Sequence, residues 1–172
     1  MSLSITEARM FDFAQCLPAV LPQPTVERGR DIYEQNRHRV YSLAFWMTDN
    51  ELAAEALMVQ SFCRAFDTNQ QLTADAIDRA LLAELSTLMP LGKLTLHCVP
   101  SERVLSVRRN TRRVDLERAV VQLPYTEKLM FLMHDVEGYD HARIASLLGV
   151  TEDQSRYGVH QARLRLRELL VK

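Results

Sequence analysis

Between Gly138 and Arg163 the chain spells out two helices that must turn on a single glycine. A short first helix offers Ile144, Ala145, Leu147 and Leu148 at buried spacing, and the small Ala145 lets a second helix come close. Gly149 suits the left-handed conformation that ends the first helix, and Val150 plugs the corner. Thr151 is placed to cap the second helix, with Glu152 and Asp153 favourable in its electropositive first turn. Arg156, His160, Arg163 and Arg167 then recur at helical spacing and share one face. The pattern predicts a helix-turn-helix whose second helix carries a basic edge. Such an edge suits the major groove of duplex DNA.

The remaining sequence is read around that module. Apolar residues make up 47% and charged residues 25% of 172 positions, enough for one medium domain or two small ones. Five glycines and long stretches of helical spacing predict an all-α fold of two small helical domains. Only Leu94–Val99 shows alternation. No apolar run approaches membrane-spanning length, and the N-terminus lacks the layout of a signal peptide. A cytoplasmic location without membrane contact is therefore expected.

Cys16, Cys63 and Cys98 are few, odd in number and scattered, which fits reduced thiols better than a disulfide framework. His97-Cys98 has no spaced partner pair to complete four ligands, so no metal or cofactor is expected. Neither a phosphate-binding glycine loop nor a nucleophile triad is present, and enzyme function is not expected. Charge is unevenly placed: residues 1–100 carry a net −4 and residues 101–172 a net +3. A basic C-terminal part suits a protein with one DNA-facing half.

Four segments follow. Residues 1–24 form an appendage, with a short helix over 5–16 suggested by Ser4 and Glu7 and ended by Pro18, Pro22 and Pro24. Residues 25–90 hold three helices. The first, Val26 to Met47, has its stripe at Ile32, Asn36, Val40, Leu43 and Met47. Thr48 to Glu51 reads as a turn and capping box; the second helix then runs to Phe66 with a stripe at Leu52, Ala56, Val59, Cys63 and Phe66. The third, Ala74 to Met89, buries Ile77, Leu81, Leu85 and Leu88. Residues 91–113 read as a linker with a basic cluster at Arg108, Arg109, Arg112 and Arg113. Residues 114–172 form a four-helix domain whose first two helices present Leu116, Ala119, Val120 and Leu123, then Leu129, Met130, Leu132 and Met133.

Two of these segments resemble one family. Leu123-Pro124, Asp135-Val-Glu-Gly138, Ile144-Ala-Ser-Leu-Leu-Gly149-Val150 and His160-Gln-Ala-Arg163 look like region four of bacterial RNA polymerase sigma factors of the extracytoplasmic-function group. Val40-Tyr41-Ser-Leu-Ala44 and Ala54-Glu55-Ala-Leu57-Met-Val-Gln-Ser-Phe62 resemble the start of region two. The resemblance implies binding to RNA polymerase core and to promoter double-stranded DNA, with an anti-sigma factor as a candidate partner. It places Glu55, Leu57, Gln60 and Phe62 on the helix that meets polymerase. Thr151, Arg156, Tyr157, His160, Arg163 and Arg167 fall on the DNA-binding helix and its cap.

The chain also departs from the family. Ala56 and Val59 stand where an acidic residue and a glutamine are usual. Ala74 to Met89 contains no aromatic residue to hold melted single strands, and Trp46 lies too early to replace one. On the recognition helix Ser155 replaces an apolar anchor, and Gly158 and Gln161 occupy commonly basic positions. These departures favour an alternative expectation, a sigma-like decoy or adaptor that binds an anti-sigma factor without melting a promoter.

Overall fold

The computed structural model describes residues 23–68, 73–94 and 112–171, and among these every regular element is helical. The elements are α1 Gln23–Thr48, α2 Glu51–Thr68, α3 Ala74–Leu88, α4 Arg113–Val121, α5 Tyr125–Phe131, α6 His141–Leu148 and α7 Glu152–Val171. A single π-helical turn, Leu132–Val136, continues α5. The helix expected over residues 5–16, the Leu94–Val99 alternation beyond Leu94, and Arg108 and Arg109 lie outside the described residues.

α1, α2 and α3 pack on one another, and α7 packs against α4, α5 and α6. α1 buries the stripe its sequence predicts, with Val40, Leu43 and Met47 at 3% exposure or less. Asp49 takes the left-handed conformation (φ 52°) that ends α1. The cap of α2 is Asn50, whose Oδ1 accepts from Ala53 N at 2.9 Å, whereas the Thr48 hydroxyl donates back to Ala44 O. The expected Thr48 capping box is therefore replaced by an asparagine cap.

α2 buries a different face from the predicted one. Ala54, Leu57, Ser61, Phe62 and Ala65 point inward, while Leu52 is 78% exposed and Ala56 is also on the surface. Both faces carry apolar residues, so periodicity alone left the rotation of this helix open. α3 holds to expectation at Ile77, Leu81 and Leu85, but Leu88 is exposed and Met89 is buried instead. Cys63 is disulfide-bonded, against the expectation of reduced thiols. No helix among the described residues is long and apolar enough to cross a membrane.

The two groups of helices meet where α1 touches α4 and α5, and where α3 touches α6. One cluster of buried side chains runs through both groups, from Val40 to Leu166. At its polar centre stands Asp78, 3% exposed. Arg39 of α1 pairs with its Oδ1, Arg143 Nη2 of α6 approaches Oδ2 at 2.8 Å, and the Tyr139 hydroxyl donates to Oδ2 at 2.9 Å. Arg143 also reaches Asp75 at 2.8 Å and lies 4.3 Å over the Tyr139 ring. Burial pushes the Asp78 carboxyl above the usual carboxylate range, and the two guanidiniums pull it back.

Candidate DNA-binding helix and its supports

The turn between α6 and α7 is built from short-range chemistry. Asp140 caps α6 by accepting from Arg143 N at 2.7 Å. Gly149 ends the helix at φ 66°, ψ 34°, and Val150 N donates to Ala145 O at 3.1 Å. Thr151 Oγ1 accepts from Gln154 N at 3.1 Å, and Gln154 Oε1 accepts from Thr151 N at 2.9 Å. This reciprocal box fixes where α7 begins. Gln154 is the partner that the sequence reading missed.

The inward face of α7 consists of Ser155, Gly158, Val159, Gln161, Ala162 and Leu166, all buried. Ser155 Oγ pairs with His141 Nδ1 at 3.0 Å, joining the two helices of the motif. A Cβ on Gly158 would lie 2.3 Å from Met130 Sδ and 3.1 Å from a Leu94 methyl, so glycine is what lets α7 sit on α5. Ser155, Gly158 and Gln161 are thus scaffold positions. Their departure from basic or apolar residues takes nothing from the outward face.

That outward face carries the predicted residues. Thr151, Arg156, His160, Arg163 and Arg167 are all exposed, and Tyr157 is half-buried beside them. Arg156, 61% exposed, makes a single 3.1 Å contact to Glu152 one turn earlier. Exposed pairs of this kind contribute about 0–1 kcal/mol, so the guanidinium is easily surrendered to another partner. Arg163 differs. Its Nε and Nη2 grip Asp135 Oδ2 and Oδ1 at 2.9 and 2.5 Å, a two-pronged contact that raises the arginine pKa.

Behind this edge the His134 and His141 rings lie 4.2 Å apart. Burial, then the charges of His134, Arg156 and Arg163, hold His141 below the usual histidine range.

The second predicted site divides. Glu55 and Gln60 stand on the surface of α2, near exposed Leu52 and Ala56. Leu57 and Phe62, at 3% and 2% exposure, face the core, and Phe62 meets the Tyr33 ring edge-on at 4.8 Å. These two position the helix rather than form its surface. Asp78 was missed, and Asp135, read from sequence as part of the Asp135-Val-Glu-Gly138 motif and as one of a solvated pair with Glu137, is instead held against Arg163. Asp78 had a signal: it is the one charged residue on the apolar side of α3, between Ile77 and Leu81.

Residues 113–166, spanning α4 to most of α7, match the family described as Sigma-70, region 4. The chain is also 26% identical over 158 residues to the ECF RNA polymerase sigma factor SigE of Mycolicibacterium smegmatis, an alignment covering 83% of this chain and 61% of that relative. The chain resembles an extracytoplasmic-function sigma factor. It spans about three-fifths of the relative's length. The region 4 match begins at the first residue of α4 and contains the whole elbow, so the helix-turn-helix lies inside the matched segment.

Proposed function

We propose that this chain is a sigma-type transcription initiation protein. It reads upstream promoter DNA through the outward face of α7 and joins RNA polymerase core through the surface of α2. One observation carries this: within and just beyond the segment that matches region 4, the glycine elbow leaves Arg156, His160 and Arg167 exposed on one face of α7. The early turns of such a helix enter the major groove. Arg156 is placed to hydrogen-bond a guanine edge with two donors, worth about 1–3 kcal/mol of discrimination, while Arg167 suits a phosphate. Tyr157 lies at the margin of the face. On α2 the contact falls to Glu55 and Gln60, with Leu57 and Phe62 behind them.

Similarity extending through 83% of the chain supports initiation over the decoy reading. An anti-sigma factor is then a regulator rather than the target. The work of such a protein lies wherever RNA polymerase does, in the bacterial cytoplasm, and consists of binding without covalent chemistry.

Run-off transcription with purified core polymerase and genomic promoter fragments tests the proposal. Transcripts that require the chain and vanish with Arg156→Ala are the expected result. Polymerase binding without transcripts, or transcription indifferent to Arg156→Ala, overturns it.

A further inference from the structure

The basic stripe of α7 is not uniform, and its third member is held by another part of the domain. Arg163 lies nearly two turns beyond Arg156 on the same exposed edge. Its guanidinium presents two parallel N–H groups to both oxygens of Asp135, across 28 positions of sequence. Asp135 sits in the π-helical turn Leu132–Val136, anchored on one side by the buried Leu132 and Met133. On the other side, Glu137 N donates to Leu132 O at 3.0 Å and Tyr139 N donates to Met133 O at 2.8 Å. The carboxylate therefore comes from a fixed turn, unlike Glu152, which rides on α7 itself beside Arg156.

Their exposures also differ. Arg156 and Glu152 are 61% and 52% exposed, whereas Arg163 and Asp135 are 48% and 23%. A flexible, single-contact pair exchanges readily for a phosphate or a base edge; a two-pronged pair with a partly covered carboxylate does not. A guanidinium already neutralised by a carboxylate also releases no counterion when a duplex arrives.

We propose that Asp135 takes Arg163 out of the duplex contact by holding it as a strut, leaving Thr151 to His160 to meet the groove and Arg167 free to reach a phosphate. Asp135 is a positioning residue and touches no DNA. This rests on the DNA-binding reading above and narrows the set expected from the sequence, since Arg163 leaves it. Removing the acidic partner then adds a contact: with Asp135→Asn, Arg163 is released toward the phosphates.

The test measures binding of a labelled duplex, taken from a promoter that the chain transcribes, across a salt series. Each phosphate neutralised steepens the plot of log affinity against log salt by about 0.9. The native chain and Arg163→Ala are expected to share one slope. Asp135→Asn is expected to steepen it by about one phosphate and to tighten binding at low salt, and adding Arg163→Ala should return it to the native value. A purely structural role for Asp135 predicts weaker binding and no steepening. Circular dichroism melts of each variant confirm that folded protein is compared.

If Arg163→Ala alone flattens the slope by one phosphate, or Asp135→Asn leaves it unchanged, the proposal is overturned while the DNA reading stands. If the native chain binds no such duplex, or Arg156→Ala binds as well as native, the DNA reading falls and this proposal falls with it.

Discussion

The N-terminal and C-terminal helix groups are assembled by different means. α1, α2 and α3 meet mainly through apolar stripes, with Arg64 of α2 paired to Glu84 of α3 and Arg39 of α1 paired to Asp78 of α3. In α4 to α7 the joints are specified residue by residue: Asp140 and Thr151 cap, Gly149 turns, Gly158 admits Met130, and Ser155 meets His141. Side chains that fit in only one way fix the direction of a helix face. Apolar stripes fix only that a helix is buried somewhere. α7 accordingly lies in the group where presentation of a face is fixed locally, and α2 lies in the group where it is not.

The largest test strikes the contact that both groups share. Asp78→Ala leaves Arg39 and Arg143 without their common carboxylate in the interior, and a loss of about 3–5 kcal/mol is expected in urea unfolding. Loss of coupling between the two groups should also appear as separate transitions followed by Trp46 fluorescence and by circular dichroism. A single, barely shifted transition would mean that the groups do not depend on Asp78.

Next is the rotation of α2. Leu57→Ala should cost about 2–5 kcal/mol because it empties a core position, and Leu52→Ala should stay within about 0.5 kcal/mol because Leu52 faces solvent. Equal effects on the unfolding midpoint would restore the face that periodicity suggested.

A smaller effect is expected from Gly158→Ala. Alanine favours the helix by about 1 kcal/mol, but its methyl must displace the buried Met130, an overpacking that costs about 1–3 kcal/mol. The net expectation is a destabilisation of about 1 kcal/mol by thermal unfolding. Stabilisation would show that α7 and α5 have room to separate.

The smallest test concerns His141. Its pKa is lower in the folded chain than in the unfolded one, owing to burial and to His134, Arg156 and Arg163, with Glu152 opposing. The unfolded chain therefore takes up a proton first as pH falls below about 6.5, and the stability contributed by the neutral ring is lost on acidification through that window. The thermal midpoint should fall more steeply between pH 7 and 5.5 in the native chain than in His141→Gln. The same slope in both would assign the pH response to another group.

Much of α7 was legible because its signals are local. Gly149, the Thr151 cap and the exposed spacing of Arg156, His160, Arg163 and Arg167 each involve residues within a turn or two of one another. The placement of Ser155, Gly158 and Gln161 was not legible, because a glycine chosen for close approach and a glycine merely tolerated look alike without the facing Met130.

Taken alone, the order of residues determined the helical class, the elbow, and the side of α7 that faces outward. Only the tertiary structure decided which side of α2 is covered, that Asp78 joins residues 39 and 65 positions away, and that Asp135 grips Arg163. The physical reason is range. Helical period and capping act over a few residues, whereas a salt bridge between distant helices depends on how those helices are rotated and packed, and no local pattern records that rotation.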